Sequence, residues 1–66
     1  MDRPMARKLL HLKEAADRLR RSEAQLRWMI HNGTAPPSAV IAGRRMFDED
    51  LLDRWIEQQF QAEKGE

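Results

Sequence analysis

Residues 9–33 read LLHLKEAADRLRRSEAQLRWMIHNG, and two helical periods with a break between them decide how this chain folds. Leu12, Ala15, Ala16 and Leu19 recur at the i, i+3, i+4, i+7 spacing that puts four side chains on one helix face. That spacing predicts a first helix over 12–19. Ala15 and Ala16 keep the shared face thin, so a second helix crosses it closely without a clash. Ser22 then offers an N-cap hydroxyl, and Gln25 stands where a capping box takes Glu or Gln. Leu26, Met29 and Ile30 form the apolar stripe of the second helix. Gly33, directly after Asn32, supplies its left-handed stop. The outcome is two short amphipathic helices joined by a tight turn that contains Arg20 and Arg21.

Beyond this unit, Pro36 and Pro37 forbid further helix and favour an extended loop. Val40 and Ile41 suit a short strand, Met46 and Phe47 a second, and 42–45 the tip of the hairpin between them. Asp48, Glu49 and Asp50 suit the cap and dipole of a third helix. Leu51, Leu52, Trp55, Ile56 and Phe60 recur at helical spacing and are expected to seat it on the core. The expected fold is mainly α, a small winged helix-turn-helix: a two-helix unit, a short β-hairpin wing and a C-terminal helix. Residues 1–7 (MDRPMAR) read as a flexible basic arm, 8–60 as the domain, and 61–66 as a frayed acidic tail.

Sixty-six residues permit one domain with a small core. The absence of cysteine removes disulfides and thiolate metal sites together. No apolar run is long enough to span a membrane and no signal-peptide core is visible, which suggests a soluble, cytoplasmic protein. The formal net charge of +1 conceals a strong segregation. Residues 1–45 carry ten Lys/Arg against four Asp/Glu, whereas 46–66 carry two against seven. Such asymmetry suits a polyanion-binding body with an acidic appendage, although charge alone leaves a merely solvated surface equally open.

Catalysis finds no foothold. There is no cysteine nucleophile, no Ser/His/Asp order and no glycine-rich phosphate loop, while His11 and His31 lack metal-ligand spacing. Hence no catalytic residue, cofactor, metal or small-molecule substrate is expected.

A basic body with a helix-turn-helix points to double-stranded DNA, and each candidate contact has a plainer alternative. Arg20, Arg21 and Arg27 flank the second helix and suit phosphates; ion pairs with Glu14 or Asp17 are the alternative. Gln25 and Glu23 suit base edges, adenine and the cytosine amino group respectively. Each is equally suited to capping or to the helix N-terminus. Ser22 caps while leaving its backbone N–H for a phosphate. Trp28 faces outward with two uses, structural packing (the commoner for so large a surface) or a sugar or thymine methyl. His31, one turn beyond Arg27, reaches a phosphate or stands by. Arg44 and Arg45 at a hairpin tip add negligible stability unless a polyanion is present.

The succession of LLHLKEAADRLRRS, LRWMIHNG, a Pro-Pro loop, GRR and DLLDRWI resembles the excisionase-like winged helix-turn-helix domains. These belong to a broader MerR-like group of phages and mobile elements. The resemblance covers residues 8–56 and is most specific at LKEAA (12–16), at 22–33 and at GRR (43–45). It implies a small architectural protein whose second helix enters the major groove and whose wing grips the adjacent minor groove or its phosphates. Some relatives direct a recombinase towards excision; others regulate transcription. The implied partners are DNA, an integrase, and further copies binding cooperatively while bending the duplex. A phage or plasmid regulator, or a protein-interaction module on the same scaffold, are the alternatives. The chain departs from the pattern in four places. Arg20–Arg21 replaces a glycine followed by a small apolar residue, His11 replaces a capping threonine, Glu23 replaces a residue that is often basic, and the wing register is ambiguous by one residue.

Overall fold

The computed structural model describes residues 7–64; the expected arm over 1–6 and the last two residues of the expected tail lie outside them. Helix α1, Leu12–Arg18, and helix α2, Glu23–Asn32, form where the periodicity puts them. Ser22 Oγ accepts the Gln25 N–H at 3.0 Å and so caps α2. At its other end Gly33 turns left-handed with φ 76°. The Gly33 N–H reaches the Ile30 carbonyl at 3.1 Å and Thr34 N–H the Met29 carbonyl at 2.9 Å. This paired closure is a Schellman motif, which satisfies carbonyls that the helix itself cannot.

Helix α1 ends in the same motif with an unusual residue at its pivot. Arg20 N–H donates to Asp17 O at 3.0 Å and Arg21 N–H to Ala16 O at 2.9 Å. The pivot is Arg20, at φ 62°. A side chain in that left-handed region costs about 1 kcal/mol relative to glycine. Arg20→Gly is therefore expected to raise stability by about 1 kcal/mol, or roughly 4–8 °C in melting temperature for a domain of this size. Thermal unfolding followed by circular dichroism checks it.

Strand β1, Leu9–His11, was not expected from the sequence. It joins β2, Ala39–Ile41, and β3, Arg44–Asp48, in a sheet of order β1-β3-β2. Both pairings are antiparallel, with Leu10 opposite Phe47 and Val40 opposite Arg45. The wing is thus part of a three-stranded sheet. The register also corrects the hairpin tip. Only Ala42 and Gly43 form the turn, both with positive φ (52° and 83°), as a two-residue hairpin of this twist requires. Arg44 and Arg45 lie inside β3, not at the tip.

Alternation along β3 sends Phe47 into the core, opposite in direction to its neighbours Met46 and Asp48. Leu10, Ala15, Ala16, Leu26, Phe47 and Leu52 are buried, with Leu12, Leu19, Met29, Ile30 and Ile56 packed around them. Ala15 and Ala16 are buried to within 1% where α2 crosses α1, the close approach that their size permits.

Helix α3, Glu49–Lys64, starts from Asp48, whose Oδ1 accepts the Leu51 N–H at 3.1 Å. Two expectations about it are corrected. The helix continues through Lys64, so 61–64 are helical rather than frayed. Phe60 is 67% exposed; Leu52 is buried in the core and half-buried Ile56 packs against it, while Leu51 and Trp55, also half-buried, are not part of that cluster. Phe60 lies beyond the body, where helical spacing continues but no partner surface follows.

Polar contacts add a second fastening. The Arg18 guanidinium bonds Glu49 Oε2 at 2.7 Å and Asp53 Oδ1 at 2.8 Å, tying the end of α1 to the start of α3. The hydrogen bond from Arg18 lowers the Glu49 carboxyl below its ordinary value, and the same bond raises the pKa of Arg18. A carboxylate with a depressed folded-state pKa contributes stability above its unfolded value and loses it as pH falls through the folded one. Denaturant midpoints of the protein should therefore fall on acidification below the ordinary glutamate range. Arg18→Gln should weaken that fall and lower the midpoint at neutral pH. Urea titrations at several pH values decide the point.

Candidate nucleic-acid interface

Pairing of β1 with β3 carries the first residues of α1 to the side of the wing, and α2 crosses beneath. Together they enclose a cleft of about 430 Å³. Helix α2 lines it with Glu23 and Arg27, and the wing with Gly43, Arg44 and Arg45. The β1–α1 junction contributes His11 and Lys13. Four permanent cations thus stand against one carboxylate in a space narrower than the molecule. Clustering of this kind is costly among the cations unless an anion joins them.

The partners of these groups differ. Arg27 meets Glu23 one turn earlier at 3.6 Å, an exposed pair that does little to hold either side chain. Arg45 is half-buried, and its Nη1 donates to Ser38 Oγ at 2.8 Å, which anchors the guanidinium against the wing. Lys13 lies 3.6 Å from Asp17 along α1. Arg44 is exposed and has no ion pair among the described residues.

A second helix capped at both ends, crossing a first over two alanines and flanked by a paired hairpin, is now fully in view. A family model for a helix-turn-helix domain matches residues 9–60. The chain belongs to that family. Comparison with curated proteins and with solved structures returns no match.

In this helix-turn-helix domain α2 is the second helix of the motif. Not every candidate residue shares the cleft. Ser22, Gln25 and Trp28 lie together with Ala24 along another flank of α2. Ser22 caps through its hydroxyl, whereas the Gln25 side chain is exposed, its backbone N–H alone serving the cap. Trp28 is 59% exposed, so the expected structural packing is corrected: this indole is not part of the core. His31 is exposed near the end of α2. Arg20 and Arg21 are exposed in the turn. Neither forms an ion pair with Glu14 or Asp17; Glu14 instead accepts the His11 N–H at 2.7 Å and Asp17 takes Lys13.

Lys13 and His11 are the residues that sequence reading missed. Their position beside the wing depends on β1, a three-residue strand whose partner lies more than thirty residues away. The available signal was the Leu9–Leu10 pair before the first helix. Among the described residues, no cluster of His, Asp and Glu is arranged to hold a metal ion, and no helix is long and apolar enough to cross a membrane.

Proposed function

We propose that this helix-turn-helix domain is a sequence-specific, double-stranded DNA-binding protein of the architectural kind, acting as an excisionase. The observation that carries the DNA reading is the shared cleft, in which Arg27 of α2 and Arg44 and Arg45 of the wing converge. With α2 in the major groove, the wing falls on the adjoining backbone and minor groove, where arginine is favoured by the negative potential of a narrow groove. Phosphate neutralisation then supplies affinity, while Gln25 and Trp28 on the other flank of α2, and Glu23 beside Arg27, are the candidates for base edges.

A module of this size makes few base contacts, so useful affinity requires help from a neighbour. The acidic residues of α3 offer a surface for such a neighbour, either an integrase or a second copy on an adjacent site. The resemblance to excisionase-like domains supports recombination as the setting and bending of the duplex as the action. Footprinting on DNA flanking the gene for this protein tests the assignment. Protection of direct repeats beside an attachment site, with excision by the cognate integrase stimulated, is the expected result. Protection confined to a promoter would make the protein a transcriptional regulator. No protection anywhere would turn attention to a protein partner.

A further inference from the structure

Alternation along the strands leaves the outer face of the sheet without a partner. Leu10 and Phe47 turn into the core, so Leu9, Ala39, Ile41 and Met46 turn away from it. With Pro37 and with Leu51 of α3 they line a mostly apolar groove of about 140 Å³. Leu9 is 40% exposed and Ile41 45%. Both ends of this face are cationic. At one end Arg7 bonds Asp48 at 3.0 Å, but the guanidinium is 62% exposed and the carboxylate 11%, so the arginine meets solvent. Arg44, two residues before Met46 and on the same face, stands at the other.

The chain also carries a side chain of matching size and sign. Phe60 is 67% exposed on the part of α3 that overhangs the body. Glu57 and Glu63 lie one turn before and after it, exposed and without ion pairs among the described residues, while Lys64 follows. A cavity of about 150 Å³ accepts benzene, so the groove has room for one phenyl ring. Phe60 does not reach the groove of its own chain. Leu51, which lines that groove, precedes Phe60 by about two and a half helical turns. The two side chains therefore lie on opposite faces of α3.

We propose that Phe60 of one copy seats in the groove between Leu9, Ile41, Met46 and Leu51 of a second copy. Charge complementarity selects this occupant, because Glu57 and Glu63 arrive with the ring at a groove that ends in Arg7 and Arg44. Knob and groove point apart, so the contact is heterologous and joins copies head to tail in an open row. A single aromatic anchor is weak in free solution. Copies held side by side on one duplex reach millimolar effective concentration, where such a contact is populated. The inference thus deepens the proposed cooperation between neighbouring copies and names the surfaces that carry it.

The test separates knob from groove and uses no DNA. Phe60→Ala keeps the groove and loses the ring. Ile41→Glu keeps the ring and puts into the groove a carboxylate that repels Glu57 and Glu63. Both positions are exposed, and Leu9→Glu serves if Ile41→Glu loses its dispersed amide spectrum. Amide shifts of the wild-type chain should move with concentration, half-complete at about 1 mM. They should stay still in each variant alone. Isotope-labelled Phe60→Ala titrated with unlabelled Ile41→Glu should recover the movement at residues 37–46 and 51, and the reverse labelling should recover it at 57–63. Raising salt to about 0.5 M should weaken the association several-fold, since exposed charges are then screened. Wild-type spectra that ignore concentration up to several millimolar overturn the inference. Concentration dependence that survives Phe60→Ala overturns it too, as does movement of α3 amides alone, which would pair α3 with α3. None of these results bears on DNA binding, and failure to bind DNA leaves the contact between copies standing.

Discussion

Arg27→Ala combined with Arg44→Ala should weaken duplex DNA binding by roughly 100-fold or more at moderate salt, because each removes a charge-assisted contact worth at least about 1.5 kcal/mol. These two residues come from different elements, α2 and β3, yet line the same cleft. Neither is held by a strong internal partner: Arg27 has a loose, exposed pair with Glu23, and Arg44 has none among the described residues. The fold should therefore tolerate both changes, with melting temperature nearly unaltered. The diagnostic quantity is the dependence of affinity on salt. Each phosphate contact contributes about 0.9 to the slope of log affinity against log salt, so the double variant should be shallower by about 2. Arg54→Ala, an exposed cation on α3 away from the cleft, is the control and should alter little. An unchanged slope in the double variant would remove these arginines from the interface.

Phe47→Ala should leave the chain largely unfolded at room temperature. Phe47 is fully buried and is the largest side chain of the core. It stands on the central strand, opposite Leu10, so it joins both halves of the sheet to the helices. Truncating a buried phenylalanine costs about 3–5 kcal/mol, and a single core in a domain this small supplies a stability of about the same size. The two quantities nearly cancel. Far-ultraviolet circular dichroism should show loss of helix, and DNA binding should vanish with it because the wing is no longer held beside α2. Phe47→Leu, nearer in volume, should fold with a cost of about 1–2 kcal/mol. A cooperative melt for Phe47→Ala within a few degrees of the parent would show that the sheet is fastened by other contacts.

Arg20 illustrates how sequence and structure bear on one another. An arginine where the turn favours glycine is visible from the resemblance alone. Its left-handed backbone, exposed setting and lack of an ion pair with Glu14 or Asp17 needed the coordinates. Strained residues persist where something outside the fold rewards them. DNA affinity of Arg20→Gly, measured beside its stability, tells whether this one is retained for a contact.

The sequence by itself determined the two helices, their ends and the thin crossing between them. Those features depend on residues no more than five apart: Ser22 with Gln25, Gly33 with Ile30, Ala15 and Ala16 on one face. Short-range hydrogen bonds and periodicity act before the rest of the chain is placed. Only the tertiary structure decided the third strand, the position of Arg44 and Arg45 within β3, and the arrival of Lys13 at the cleft. A three-residue strand has no stability of its own and exists only through its ladder to β3, from which it is separated by the whole helix-turn-helix. The Arg18 link to Glu49 and Asp53 spans a similar distance along the chain. Such pairings carry no local signature, since the free energy that selects them appears only when both partners are already folded against a common core.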